Sequence, residues 1–225
     1  MTNPMRPLSV LLVTLTVVFA LGCGGGLKYR VDDSAMDAIP AGERQGVFAA
    51  QNDVEIAKSE VRTAASQIEA FGRDTDVAKA EKQQAELEVE KATTEQEGAI
   101  ASRDENRAAL ARHNKDAADL GVKAADAKLA WLDEKEDFLE ANRKAADAHV
   151  AAAEANVELE KAKVAQAKGI KPDSGFSVGN YSDQYNDRKS DWESAKKKAA
   201  SEEKDSKDAE KRWQDLVAQV QKMKG

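Results

Sequence analysis

From Val47 onward the apolar positions of the chain recur every seven residues. Val47, Val54, Val61 and Ile68 form one row, and Ala50, Ala57, Ala64 and Phe71 fill the interleaved positions three residues later. Alternating spacings of three and four keep both rows on one stripe of an α-helix, the seam by which coiled-coil helices pack. The same frame returns at Leu110, Ala117, Ala124, Trp131, Phe138, Ala145, Ala152 and Leu159. Beside it runs a second row through Leu129, Leu132, Leu139, Ala146, Val150, Ala153, Val157 and Val164. Two adjacent apolar rows predict a helix that contacts two partners. A last seam carries Trp192, Ala195, Ala199, Ala209, Trp213, Leu216, Val220 and Met223. Between the first two blocks the frame weakens, with Thr75, Lys82, Gln96, Arg103 and Asn106 on seam positions.

Breaks in the pattern divide the chain. Pro40 and Gly42 mark the entry to a long helical region, residues 43–168, because proline suits the start of a helix. Residues 169–181 hold three glycines and a proline and predict a loop,. Ser182 is the expected N-cap of a final helix over 182–225,. If the chain reverses at that loop, Trp213 faces Phe138, Trp192 faces Leu159 and Val220 faces Trp131. A second reversal within 98–107 brings Phe71 to Leu139 and Val47 to Val164. The expected fold is therefore all-α: a long antiparallel coiled-coil hairpin whose base carries a third, C-terminal helix. The three apolar blocks would converge in one bundle, and the polar stretch would project as a two-helix arm of about 30 residues per side, roughly 45 Å. The rival is an unbroken helix over 43–168, roughly 190 Å long, which needs self-association with a second chain to cover its seam. A break at residues 72–76 would pair the first block with apolar-poor helix and is the weaker alternative.

Composition agrees with narrow seams. Charged residues are 33% of the chain and aromatics 5%. Of the residues after Cys23, only 39 are apolar and larger than alanine, too few for a thick globular core. An α/β enzyme and a β-sandwich are excluded on this ground, and a single cysteine excludes a disulfide scaffold.

The N-terminus reads as an address. Residues 8–21 are uncharged and mostly apolar, preceded by Arg6. A run this short fits the core of a secretory signal peptide better than a bilayer span of about 20 residues. The chain's sole cysteine, Cys23, follows directly, with Gly22 before it and Gly24, Gly25 and Gly26 after it. Ala20-Leu21-Gly22-Cys23 resembles the lipobox of bacterial lipoproteins. That resemblance implies cleavage between Gly22 and Cys23, removal of residues 1–22 and a covalent lipid, acyl chains of the palmitate kind, on Cys23. Residues 23–42 are then the lipidated cysteine and a flexible connector, in which Tyr29, Arg30 and Val31 run extended and Asp33 or Ser34 caps one helical turn. Gly24, in place of an inner-membrane retention aspartate, implies the outer membrane, facing the periplasm, over the inner membrane.

Without residues 1–22 the chain has 33 basic against 41 acidic side chains. This balance argues against nucleic acid as a partner. His113 and His149 lack metal-site spacing, and the carboxylates alternate with lysines as on solvated helix faces,. Asp173, Asp183, Asn186 and Asp187 lack the order of a calcium loop and read as turn and cap residues. Phe176, Tyr181 and Tyr185 form an aromatic cluster off the seams, expected to pack over the bundle end. No catalytic or metal site and no cofactor besides the lipid is expected.

The function this pattern implies is that of a lipid-anchored, non-enzymatic spacer or scaffold of the cell envelope. It would reach a membrane through its lipid and a protein partner through its helices. Its outline is similar to murein lipoprotein, although Gly225 follows Lys224 where that family ends on the lysine that bonds peptidoglycan. The alternative is a periplasmic substrate-handling protein, either a holdase resembling the tentacled trimeric chaperones or a transport accessory.

Overall fold

The structure, a computed structural model, describes residues 26–172 and 174–224. Among these residues it is helical and without strands. A single turn, α1 (Asp33–Asp37), and a 3₁₀ turn (Ala41–Glu43) lead into α2 (Gln45–Ala101), α3 (Glu105–Ala167) and α4 (Val178–Lys224). α2 and α3 form the antiparallel hairpin, and α4 packs on α3. The 63 residues of α3 make a rod about 95 Å long.

The hairpin turn falls at residues 102–104, so 43–168 is not one helix. Ser102 ends α2 with its hydroxyl donating to the Ala99 carbonyl at 2.7 Å. Arg103 then takes a left-handed φ of 60°, the conformation a helix C-terminus often needs. Asp104 caps α3, accepting from the Arg107 amide at 3.0 Å. Three non-glycine residues thus make the turn.

Pairing along the hairpin follows the seams. Val47, Ala50, Val54 and Ala57 pack with Ala153 and Val157, against which Val164 also lies. Phe71 and Ala78 pack with Leu132 and Leu139. At the tip Ala99 meets Ala108 and Ala111. All these α3 residues from Leu132 on belong to the second apolar row, which therefore serves α2.

The first row serves α4, in a register that corrects the expected one. Trp213 stacks on Trp131, ring centroids 4.9 Å apart and planes 7° from parallel, rather than meeting Phe138. Trp192 stacks on His149, 4.0 Å and 3°, rather than meeting Leu159. The cause is local. α4 begins at Val178, before Ser182, so Ser182 is not its cap and the loop is shorter than residues 169–181. The pairing slides by about one heptad, which keeps apolar rows in register. Gly169, with φ 70°, closes α3: its amide donates to the Gln166 carbonyl at 3.0 Å and the Ile170 amide to Ala165 at 2.9 Å. This is a Schellman motif with its glycine at the left-handed position.

Two further expectations change. α4 runs beside α3 as far as His113, whose Nε2 lies 2.8 Å from the Met223 carbonyl oxygen. Only residues 105–112 of α3 extend past it, about 12 Å of helix, so the long bare arm is absent. Nor do the three blocks converge. α3 packs with both neighbours while α2 and α4 share no comparable interface. Each outer helix has one apolar seam and spends it on α3, so the helices form a layer with α3 in the middle.

Candidate functional site

The proposed lipidation and cleavage residues, Cys23 and Gly22, lie outside the described residues. Of the seam residues, Val47, Val54 and Phe71 are buried against α3, and Val61 and Ile68 are half-buried. Trp131 and Phe138 flank the Phe71 cluster. Leu159 does not meet Trp192 but sits in a core at the base of the rod. Leu110, on the same row beyond the end of α4, is 62% exposed.

That basal core contains the segment expected to be a flexible connector. Val31, Met36 and Ile39 are buried with Leu159, Ala162, Ala165 and Tyr181. Residues 29–39 therefore form a strap across the bases of α3 and α4. Its helical turn is capped by Asp32, not by Asp33 or Ser34: Asp32 Oδ1 accepts from the Ser34 amide at 2.9 Å. Hydrogen bonds from the Ser34 hydroxyl and then from its amide hold the Asp32 carboxyl below its ordinary range. Pro40 precedes the 3₁₀ turn, and α2 starts only at Gln45.

Side chains of the long helices satisfy the backbone of the strap. The Gln184 amide takes both polar groups of Tyr29, accepting from its N–H and donating to its carbonyl, each at 3.0 Å. The Tyr181 hydroxyl donates to the Arg30 carbonyl at 3.1 Å. Glu158 Oε2 accepts from the Val31 amide at 2.7 Å. Glu158 and Lys161 are charged yet only 9% and 7% exposed. Lys161 Nζ donates to Asp33 at 2.7 Å and to Glu158 at 3.0 Å. Burial works to lower the affinity of Lys161 for its proton, but the bonds to the two carboxylates outweigh it and the net shift is upward.

The aromatic cluster belongs to the same place. Tyr181 is buried and packs at an angle against Tyr29 and Phe176, with centroids 5.8 and 5.9 Å away, while Phe176 and Tyr185 line the core. Asp183, Asn186 and Asp187 are exposed, and Asp173 lies outside the described residues. Among the described residues no cluster of His, Cys, Asp and Glu could hold a metal ion, and no helix is long and apolar enough to cross a membrane.

A second feature lies on α3 itself. Lys128, Lys135, Asn142 and His149 recur every seven residues and fill the space between the outer helices. Lys128 pairs with Glu81 of α2 and lies 5.6 Å from the Trp213 ring of α4. Lys135 lies 5.5 Å from Phe71 and 4.9 Å from Trp131. His149 Nδ1 is 2.7 Å from Glu60 Oε2 of α2, while its ring covers Trp192 of α4. This ladder joins α2 to α4 by ion pairing and cation–π contact. Nine residues, two and a half turns, separate it from a row of Asp119, Asp126, Asp133, Glu140, Asp147 and Glu154 on the opposite side of α3. That row is exposed from Asp126 onward. Asp126 pairs with Lys82 of α2 at 2.7 Å, and this hydrogen bond raises the lysine's proton affinity.

The ladder was not expected from the sequence, and of the strap only its single helical turn was, not its burial against α3 and α4. The ladder's signal was available as a seven-residue recurrence of polar residues between two apolar rows. For that burial, the apolar spacing Val31, Met36, Ile39 was the only signal. No family model matches the chain, and neither the curated proteins nor the solved structures gave a match.

Proposed function

We propose that the chain is a lipid-anchored, non-enzymatic spacer or scaffold of a bacterial cell envelope. A covalent lipid on Cys23 holds it to the outer membrane, and the helical rod reaches into the periplasm to meet a protein partner. The observation that supports this reading is the strap. Only residues 24–28 separate Cys23 from Tyr29, where the chain is pinned to the rod by Gln184. A pull on the anchor therefore passes into a layer of long helices instead of extending a loose linker. The seams and ion pairs of that layer supply length and stiffness, as a spacer requires.

Fractionation of cells making the Cys23→Ser variant tests the anchor. Wild type is expected in the membrane fraction and Cys23→Ser in the soluble periplasmic fraction. A variant that stays with membranes would refute lipid anchoring at Cys23.

A further inference from the structure

The strap is held to the rod through its backbone. Its residues 29–31 belong to no helix or strand, and Tyr29 lies at a bend; side chains of α3 and α4 take their backbone groups. Recognition of this kind needs no covalent link between strap and helices. The existing link, residues 40–44, is exposed apart from the half-buried Arg44.

We propose that the base of α3 and α4 is a peptide-binding groove, in which residues 29–39 are a displaceable internal ligand and the same residues of a second copy are the ligand in trans. The groove sets the chemistry of what it accepts. Gln184 reads one residue's N–H and carbonyl together and so requires a backbone that turns both groups of Tyr29 to the same side. Glu158 takes the amide of the next apolar position, Val31, whose side chain enters the core. Lys161 pairs with a carboxylate two residues later, at Asp33. One helical turn then sets Met36 and Ile39 against Leu159 and Ala162.

A second copy meets every one of these requirements, because its own residues 29–39 are the sequence seen in the groove. Exchange through the exposed link gives a two-fold arrangement with the bases of two rods together, each strap crossing to the other rod. Such exchange preserves the contacts of residues 29–39 and alters those of the link, among them the Glu43–Lys168 ion pair,. The internal strap competes at high effective concentration, so trans binding shows when the internal copy is weakened.

The test uses the chain from Gly24 onward, which contains every described residue, and a fluorescent synthetic peptide of residues 26–40. In the Val31→Asp chain an unpaired charge replaces the buried apolar contact and expels the internal strap. The peptide is expected to bind this chain saturably by fluorescence anisotropy, and at least about tenfold more weakly to wild type, a factor equal to the loss of one or two hydrogen bonds. Adding Gln184→Ala to the Val31→Asp chain is expected to weaken peptide binding by about tenfold on the same grounds. Absence of saturable binding to Val31→Asp, with residues 29–39 unprotected from hydrogen exchange and the long helices still protected, would overturn the proposal. Should Val31→Asp melt the helices, a chain with a protease site in place of residues 41–43 takes over. Once cut, it should retain its strap and exchange it for the labelled peptide. A cut strap that is lost, or that never exchanges, overturns the proposal equally.

Discussion

Lys161→Ala isolates the contribution of the buried charges to the base of the rod. The substitution leaves Glu158 with the Val31 amide as its one remaining partner among those described, inside a site where the glutamate is 9% exposed. Removing one member of a buried ion pair costs about 3–5 kcal/mol, because the remaining charge stays desolvated. Asp33 adds little to this, since its side chain is 87% exposed and water replaces the lost ammonium. The expected loss is therefore at the lower end, about 3 kcal/mol. Asp33→Ala should cost less than about 1 kcal/mol. Pairing Lys161→Met with Glu158→Gln removes both charges and should restore most of the loss. Hydrogen exchange at the amides of residues 29–39 reads the local effect, and urea unfolding followed by tryptophan fluorescence reads the global one. The upward shift of Lys161 sets a pH signature. Its contribution is complete below the ordinary lysine value of 10.5 and disappears as pH rises through the higher value of the folded protein. The Lys161 contribution to the strap should hold across neutral pH and be lost in strong alkali. If Lys161→Ala costs no more than Asp33→Ala, the buried pair does not hold the strap and the account of the base is wrong.

The other predictions concern the helices and their turns. Gly72 sits inside α2 with nothing within 4 Å of where a Cβ would stand, so Gly72→Ala should stabilise the rod by about 1 kcal/mol in thermal unfolding. Arg103→Gly relieves a left-handed arginine at the hairpin turn and should stabilise by about 0.5–1 kcal/mol. Gly169→Ala places a Cβ on a left-handed residue and should destabilise by about 1–2 kcal/mol by the same measurement. Trp213→Ala removes the stack on Trp131 and one support of Lys128. A loss of about 2–3 kcal/mol is expected for this half-buried ring, with faster exchange confined to α4 and its track on α3.

Much of this architecture is written in the period of the apolar residues. Heptads at 47–71 and 110–164 specify an antiparallel pair, and the double row on α3 specifies a third helix. Both follow from a helix having only as many partners as apolar stripes. The register of α4 was not legible, because it depends on where a loop ends. Ser177 and Ser182 offer the same capping signal by residue type, and the helix starts after the first of them, at Val178, leaving Ser182 inside it. The turn at 102–104 was legible as a reversal near a given place but not in its chemistry, since Arg103 adopts a conformation usually left to glycine. The helical turn of the strap was legible from its capping residues, but its docking was not: one turn among Asp32, Asp33, Ser34 and Asp37 has no period that marks a buried face. Lys128, Lys135 and His149 look like ordinary solvated positions, and only the closeness of the flanking aromatics makes them a ladder.

The layered arrangement of the three long helices has a mechanical consequence. A closed bundle resists bending about equally in every direction across its axis. An open array whose outer helices pack on the middle one and not on each other does not: with helix diameters of about 10 Å, it is several-fold stiffer across its width than through its thickness. The rod should thus flex chiefly by curling about an axis in its own plane, opening or closing the spacing of the carboxylates along Asp126 to Glu154 while the ladder side does the reverse. A partner that grips one face would find a surface whose charge spacing changes with curvature.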